Sequence, residues 1–102
     1  MLKSFGDMMK QAQKMQKQMG ELQEKLAEER YEATSGGGLV KAVVDGKQML
    51  KELKLSPKML EEKDVTLVED LLVTAIGEAQ RASQEKMTEA YSKVTGGFNL
   101  PF

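Results

Sequence analysis

From Ser4 to about Arg30 the chain has no proline and no β-branched residue, and apolar side chains recur at Phe5, Met8, Ala12, Met15, Met19, Leu22 and Leu26. The spacing alternates between three and four residues, which places all of them on one narrow stripe of a single long helix. Gln, Lys, Glu, Met and Ala fill nearly every other position, and only Gly6 and Gly20 weaken the segment. Ser4 with Asp7 three residues later predicts a capping-box-like start. At 1.5 Å per residue the helix predicts a rod of roughly 39 Å, whereas a compact chain of this length has a radius of gyration of only about 13 Å. Part of the rod is therefore expected to project as an arm. Its stripe needs a partner, and the expected one is a second copy of the chain; cover of the protein's own sheet is the alternative.

After Arg30 the period changes. Tyr31–Ser35 predicts a short strand, Gly36, Gly37 and Gly38 a turn, and Leu39–Val44 a clearer strand that runs into Asp45-Gly46, a two-residue hairpin signal. The return strand is expected over Lys47–Leu55. Leu53 and Leu55 share a face there, while Leu50 has the opposite parity, which implies a bulge or a sheet touched on both sides. Ser56-Pro57 ends the strand, and Lys58–Glu61 predicts a short turn. A second long helix begins at Asp64 or Thr66, the latter in capping-box spacing with Glu69. Its apolar band, Val68, Leu71, Leu72, Ala75, Ile76, Ala79, Ala82, Ser83, Met87 and Ala90, is wide enough to cover a sheet. Thr95, Gly96 and Gly97 terminate it, and an apolar tail of Phe98, Leu100, Pro101 and Phe102 follows, expected to pack back or to bind another molecule. The fold class is thus α+β: a long N-terminal helix, a three-stranded antiparallel sheet and a long C-terminal helix.

Composition narrows the chemistry. A chain of 102 residues, 40% hydrophobic and 30% charged, predicts one domain over 1–102, with 4–30 as helical arm and 96–102 as tail. There is no cysteine and no histidine, so disulfides, thiolate chemistry and an imidazole proton shuttle are excluded. No apolar run approaches the length of a membrane span and no secretory leader is visible, so a cytoplasmic protein is expected. Glycines 36–38 lack a dinucleotide fingerprint, and Gly46-Lys47-Gln48 lacks the remainder of a P-loop. Glu61, Glu62 and Asp64 are ordinary helix-start carboxylates. No enzyme, cofactor, metal site or small-molecule substrate is expected, and no membrane association.

The net charge is −1, so its placement has to decide. Lys3, Lys10, Lys14 and Lys17 fall on the side of the first helix opposite the apolar stripe, with only Asp7 against them over residues 1–20. Farther along, Lys25 and Arg30 stand against Glu21, Glu24, Glu28, Glu29 and Glu32, so the sign reverses on one helix. Lysines near a helix N-terminus oppose its dipole, and Lys10 with Lys14 is a like-charge i,i+4 pair; a polyanion relieves both. The four lysines are candidate phosphate contacts on double-stranded DNA. Lys41, Lys47, Lys51 and Lys54 on the ribbon are secondary candidates, while residues 61–78, dominated by Glu61, Glu62, Asp64, Glu69, Asp70 and Glu78, should face away. Lysine as a mobile point charge favours backbone contact over base reading. Met8, Ala12, Met15, Met19, Leu22 and Leu26 are the candidate dimer contacts. The competing function is a protein-binding adaptor or small chaperone-like module that uses the Met-rich arm and the apolar tail; a further protein partner is not specified by the chain.

Several local words, taken in order, resemble the YbaB/EbfC family of bacterial nucleoid-associated proteins: the Met/Gln/Lys-rich first helix, Gly36-Gly37-Gly38-Leu39-Val40-Lys41, Val44-Asp45-Gly46-Lys47, Leu55-Ser56-Pro57, Glu69-Asp70-Leu71-Leu72 and Thr95-Gly96-Gly97-Phe98-Asn99-Leu100-Pro101. The resemblance spans almost the whole chain. It implies an α-β-β-β-α protomer, a tweezer-like homodimer with extended helical arms, association with DNA in the bacterial nucleoid, and an influence on transcription. Asp45 stands where relatives commonly carry Asn, a mild change because Asp-Gly supports the same kind of turn.

Overall fold

The Gln-, Lys- and Met-rich opening forms α1 (Leu2–Glu28), followed by β1 (Tyr31–Ser35), β2 (Val40–Val44), β3 (Leu50–Leu55), a 3-10 turn (Pro57–Glu61) and α2 (Val65–Thr95). The computed structural model describes residues 2–96; the tail residues Phe98, Leu100, Pro101 and Phe102 lie outside them, as does the side chain of Lys3. Helix α1 starts ahead of Ser4, so Ser4 is an interior helical residue and the Ser4–Asp7 pair is not the N-cap. Leu2 and Lys3 are themselves good helix formers, and the helix runs through the serine. At the other end Arg30 Nη1 donates to the carbonyls of Ala27 at 2.9 Å and Glu29 at 2.8 Å, closing the last turn.

The three strands form an antiparallel sheet in the order β1-β2-β3. β1 and β2 pair from Tyr31↔Val44 to Ser35↔Val40, joined through Gly36, Gly37 and Gly38 at φ 61°, 67° and 95°, the left-handed region glycine enters at little cost. The second hairpin differs from its expected form. Gly46–Gln48 make a three-residue loop closed by Asp45 N donating to Met49 O at 2.9 Å, and β3 begins at Leu50 rather than Lys47. The positive φ falls on Gln48, at 67°, and not on Gly46. The reason lies in the partners of both hairpin residues: the Asp45 carboxylate accepts the amides of Lys47 at 2.8 Å and Met49 at 3.0 Å, while Gly46 is held against α1.

Between β2 and β3 the register slips at Val43/Val44, with Val43 opposite Glu52 and Val44 opposite Leu50. Lys51 is the extra residue of this bulge. It brings Leu50 to the same side as Leu53 and Leu55, so the parity conflict in the sequence is resolved by the bulge.

Helix α2 lies over β1 and β2. Val40, Ala42 and Val44 meet Ala75, Ala79 and Met59 in the buried core, with Tyr31, Ala33, Leu39, Val68, Leu71, Leu72 and Ile76 packed around them. Alanine on the helix and small or branched residues on the strand let the two backbones approach closely. Ser35 Oγ donates to Leu71 O at 2.7 Å, and buried Ser83 Oγ donates to Asp45 O at 2.6 Å, so both ends of the contact carry a hydrogen bond. The N-cap of α2 is Asp64, which accepts from Leu67 N at 3.1 Å; Thr66 lies within the helix.

At about 1.5 Å per residue, α2 is roughly 46 Å long, more than twice the ~20 Å of a six-residue strand. It therefore overruns the sheet. Its second half runs antiparallel to α1, with Lys86 and Glu89 beside Leu26 and Glu29, and Lys93 and Val94 beside Gln11 and Lys14. Met15, Met19 and Leu22 are half-buried there and Leu26 is fully buried, so the lower part of the stripe is covered within the protomer. Residues 4–14 of α1 are exposed throughout. The molecule measures 71 × 24 × 16 Å with a radius of gyration of 19.9 Å, well above the ~13 Å of a compact chain.

Candidate nucleic-acid interface

Lys10, Lys14 and Lys17 stand on the exposed half of α1, and none makes an ion pair among the described residues. A helix turns about 100° per residue, which keeps the three within one sector opposite Phe5, Met8 and Ala12. Their ammonium groups are thus solvated on one side of a projecting rod.

The ribbon lysines are placed differently. Lys41 Nζ lies 3.4 Å from Glu32, Lys54 Nζ 3.0 Å from Glu52, and Lys51 Nζ 3.8 Å from Asp45. Lys47 alone of the four makes no ion pair among the described residues. The face of the sheet away from α2 carries alternating signs: Glu32, Lys41, Glu52 and Lys54 surround the buried Val43, with Arg30 and Lys51 at the margin. The hydrogen bond and charge of Lys54 hold Glu52 below its ordinary value, as expected of a paired carboxylate. Such a face is close to neutral over short distances and offers a polyanion little net attraction.

Asp45 is buried beneath this margin. Burial alone would raise its carboxyl, but the amides of Met49 and Lys47, together with the charges of Lys51 and Arg30, outweigh it and leave the group below the ordinary range. Tyr31 is driven the other way. Its hydroxyl donates to the Glu29 carboxylate, and that bond, with burial and the nearby charges of Glu29 and Glu89, pushes it up to about 12. Both groups are fixed in one charge state at neutral pH. Their roles are structural: Asp45 organises the hairpin loop, and Tyr31 ties β1 to the end of α1.

Two lysines absent from the sequence candidates join Lys14. Lys25 and Lys93 flank the groove between α1 and the end of α2, beside Gln18, Glu21 and Leu22. No local motif marks them, because they meet only through the antiparallel course of the two helices. Lys93 faces Glu89 at 3.9 Å, and Lys86 faces the same carboxylate at 3.7 Å, so the groove is mixed in sign while the arm above it is basic. Among the described residues no three His, Cys, Asp or Glu side chains converge where a metal ion could sit, and no helix is long and apolar enough to cross a membrane.

The sequence and the fold both have relatives. A profile of the YbaB/EbfC DNA-binding family matches residues 2–98. A nucleoid-associated protein of Caldanaerobacter subterraneus subsp. tengcongensis is 40% identical over 98 residues, covering 96% of this chain and 88% of its own. One from Desulforamulus reducens is 45% identical over 98 residues, covering 96% of this chain and 93% of its own. The crystal structure of an uncharacterized protein from Helicobacter pylori superposes with a TM-score of 0.81 at 24% identity, covering 87% of this chain and 94% of that one, and so shares the arrangement of two long helices about a three-stranded antiparallel sheet.

Proposed function

The chain belongs to the YbaB/EbfC DNA-binding family, and from that membership we propose that it is a non-enzymatic, nucleoid-associated protein that binds double-stranded DNA chiefly through phosphate contacts made by the lysines of α1. The single observation that carries the reading is the contrast between Lys10, Lys14 and Lys17, which make no ion pair among the described residues, and Lys41, Lys51 and Lys54, which are already matched to carboxylates. Contacts of this kind neutralise the duplex without reading base edges, so sequence preference is low and affinity falls steeply with salt. Occupation of the duplex in this way organises the nucleoid and influences transcription from the covered DNA.

The working unit is a homodimer. What supports a second copy is the row Leu50, Leu53 and Leu55, which the bulge aligns on the core side of the sheet and which remains 42%, 41% and 48% exposed because α2 covers β1 and β2 instead. β3 is also one of the two edge strands of the sheet, with one side of its backbone paired to no other strand among the described residues. Leu26, fully buried in its own protomer, has almost no surface to offer a partner, and Met15, Met19 and Leu22 are half-covered by α2. Of the six candidate contacts on α1 only Met8 and Ala12 stay exposed, so the dimer contact proposed here is centred on β3 and not on Met15–Leu26. Two protomers joined there carry two basic arms on one body.

A salt series with labelled duplex DNA tests the function, comparing the parent with the triple variant Lys10→Gln, Lys14→Gln, Lys17→Gln. Each lost phosphate contact lowers the slope of log affinity against log salt by ~0.9, so the variant slope should fall by up to ~2.7 per protomer. Affinity that ignores salt in the parent overturns the phosphate reading and favours an apolar protein ligand for the Met-rich arm.

A further inference from the structure

Two apolar patches of the protomer are left in water, and they stand among charges of opposite sign. The first is the knuckle made by the 3-10 turn and the first turn of α2. Met59 anchors it in the core, while Leu60 and Val65 are 91% and 66% exposed. The backbone that carries them is tied down: Met59 N donates to Ser56 O at 2.9 Å, the Glu62 carboxylate accepts the amides of Lys63 at 3.1 Å and Asp64 at 3.0 Å, and Asp64 caps α2. Leu60 and Val65 are thus presented on a hydrogen-bonded frame. Glu61 follows Leu60, Glu69 stands one turn beyond Val65 on the same flank of α2, and neither makes an ion pair among the described residues.

The second patch is the flank of the α1 arm turned away from α2, where Phe5 and Met9 are 71% and 50% exposed. At ~100° per residue Met9 lies ~40° round from Phe5, and Lys17 and Lys10 follow ~80° and ~100° farther in the same sense. Met15, Met19 and Leu22, which meet α2, fall on the other side of Phe5. An apolar edge therefore runs beside a basic one, and the long lysine stems lean along it. The two patches of one chain stay apart. The end of α2 lies beside Gln11 and Lys14, so Val65, at its start, is roughly 50 Å from Phe5 in a molecule 71 Å long.

We propose that the arm tip of one copy docks on the knuckle of another, with Phe5 and Met9 against Leu60 and Val65, and with Lys10 and Lys17 toward Glu61 and Glu69. Charge selects a second copy as the occupant. Residues 60–70 carry Glu61, Glu62, Asp64, Glu69 and Asp70 against Lys63, whereas residues 4–17 carry Lys10, Lys14 and Lys17 against Asp7. Arm against arm and knuckle against knuckle both repel, while arm against knuckle covers apolar surface and brings opposite charges together. The contact joins unlike surfaces, so every added copy still offers a free patch, and the assembly is an open chain. Duplex DNA takes the same lysines and competes with the knuckle for the arm, which confines these chains to conditions where duplex is scarce.

The contact is tested without DNA, so its failure leaves the DNA reading untouched. Light scattering of the full chain at low ionic strength should give a mass above that of the dimer, falling back as salt rises. Lys10→Glu with Lys17→Glu should abolish the larger species, and adding Glu61→Lys with Glu69→Lys to the same chain should restore it; circular dichroism confirms that each variant is folded. A parent that stays at the dimer mass, or a reversal without rescue, overturns the proposal. The absence of native cysteine allows a second measure. Met9→Cys in one copy and Leu60→Cys in a second of different mass should join at least ~10-fold faster than Met9→Cys with Thr88→Cys, whose position is exposed on the far half of α2. Equal rates overturn the contact. Duplex DNA, at a concentration that the salt series shows to be bound, should slow the first pair to the rate of the control, and a rate indifferent to bound duplex overturns the competition.

Discussion

The amide of Gly46 donates to the carbonyl of Leu26 at 2.7 Å, joining the hairpin loop to the last turn of α1. A Cβ on Gly46 would stand 2.6 Å from that oxygen and 3.0 Å from the Leu26 Cα and Cβ. These are backbone-proximal atoms that cannot swing aside. The glycine is there for proximity, since its φ is not positive.

Gly46→Ala is therefore expected to destabilise the protein by about 1–3 kcal/mol, the usual cost of forcing atoms into a filled site. Gly77→Ala, on an open face of α2 with nothing within 4 Å of the added carbon, should instead stabilise by up to ~1 kcal/mol through helix propensity. Urea denaturation of both variants checks the pair, and the opposite signs separate contact from propensity.

Asp45→Asn keeps a side-chain oxygen for the amides of Lys47 and Met49 but removes the charge. Because the Asp45 carboxyl is held below its ordinary value of 3.8, its charge contributes stability that is fully present above that value and is lost as pH falls through the lower folded value. The variant should be less stable than the parent by ~1 kcal/mol at neutral pH, and the gap should narrow below the ordinary value. Unfolding midpoints at pH 7 and in acid test this; a gap constant with pH contradicts it.

Leu53→Asp places a charge at the centre of the exposed β3 row. The protomer loses little, because Leu53 is already partly in water, but the contact between copies should weaken at least ~10-fold in Kd, or about 1.4 kcal/mol. Sedimentation equilibrium at low micromolar concentration reads the change directly, and circular dichroism confirms that the protomer persists.

Lys41→Gln and Lys54→Gln should alter DNA affinity by no more than about twofold, because each removes a lysine already paired with a carboxylate at the surface. Filter binding beside the α1 triple variant ranks the two regions. A larger loss from the ribbon pair would relocate the interface to the open face of the sheet.

Elements whose signal is local were legible in the residues. Tyr31–Ser35 appears with its expected bounds, and α1 and α2 follow from period and composition. Asp45-Gly46 marks the hairpin between β2 and β3, but its three-residue form is not legible locally, because Gly46 is held by Leu26, twenty positions upstream, while the Asp45 carboxylate takes the amides of Lys47 and Met49. The stripe of α1 shows the same limit. Periodicity says that Met15 to Leu26 are covered, but the identity of the cover depends on how far α2 overruns a sheet of five- and six-residue strands. The basic arm could be seen in the sequence, whereas the pairing of Lys41, Lys51 and Lys54 depends on register, and the meeting of Lys14 with Lys25 and Lys93 on the antiparallel course of two helices.

A body three times longer than it is wide, 71 Å against 24 Å, drags more water than a sphere of equal mass. On a sizing column calibrated with globular standards, a lone protomer will elute early and imitate a heavier particle. Subunit number must therefore be weighed by light scattering or sedimentation equilibrium, for which frictional shape cancels, before any elution volume is taken as stoichiometry.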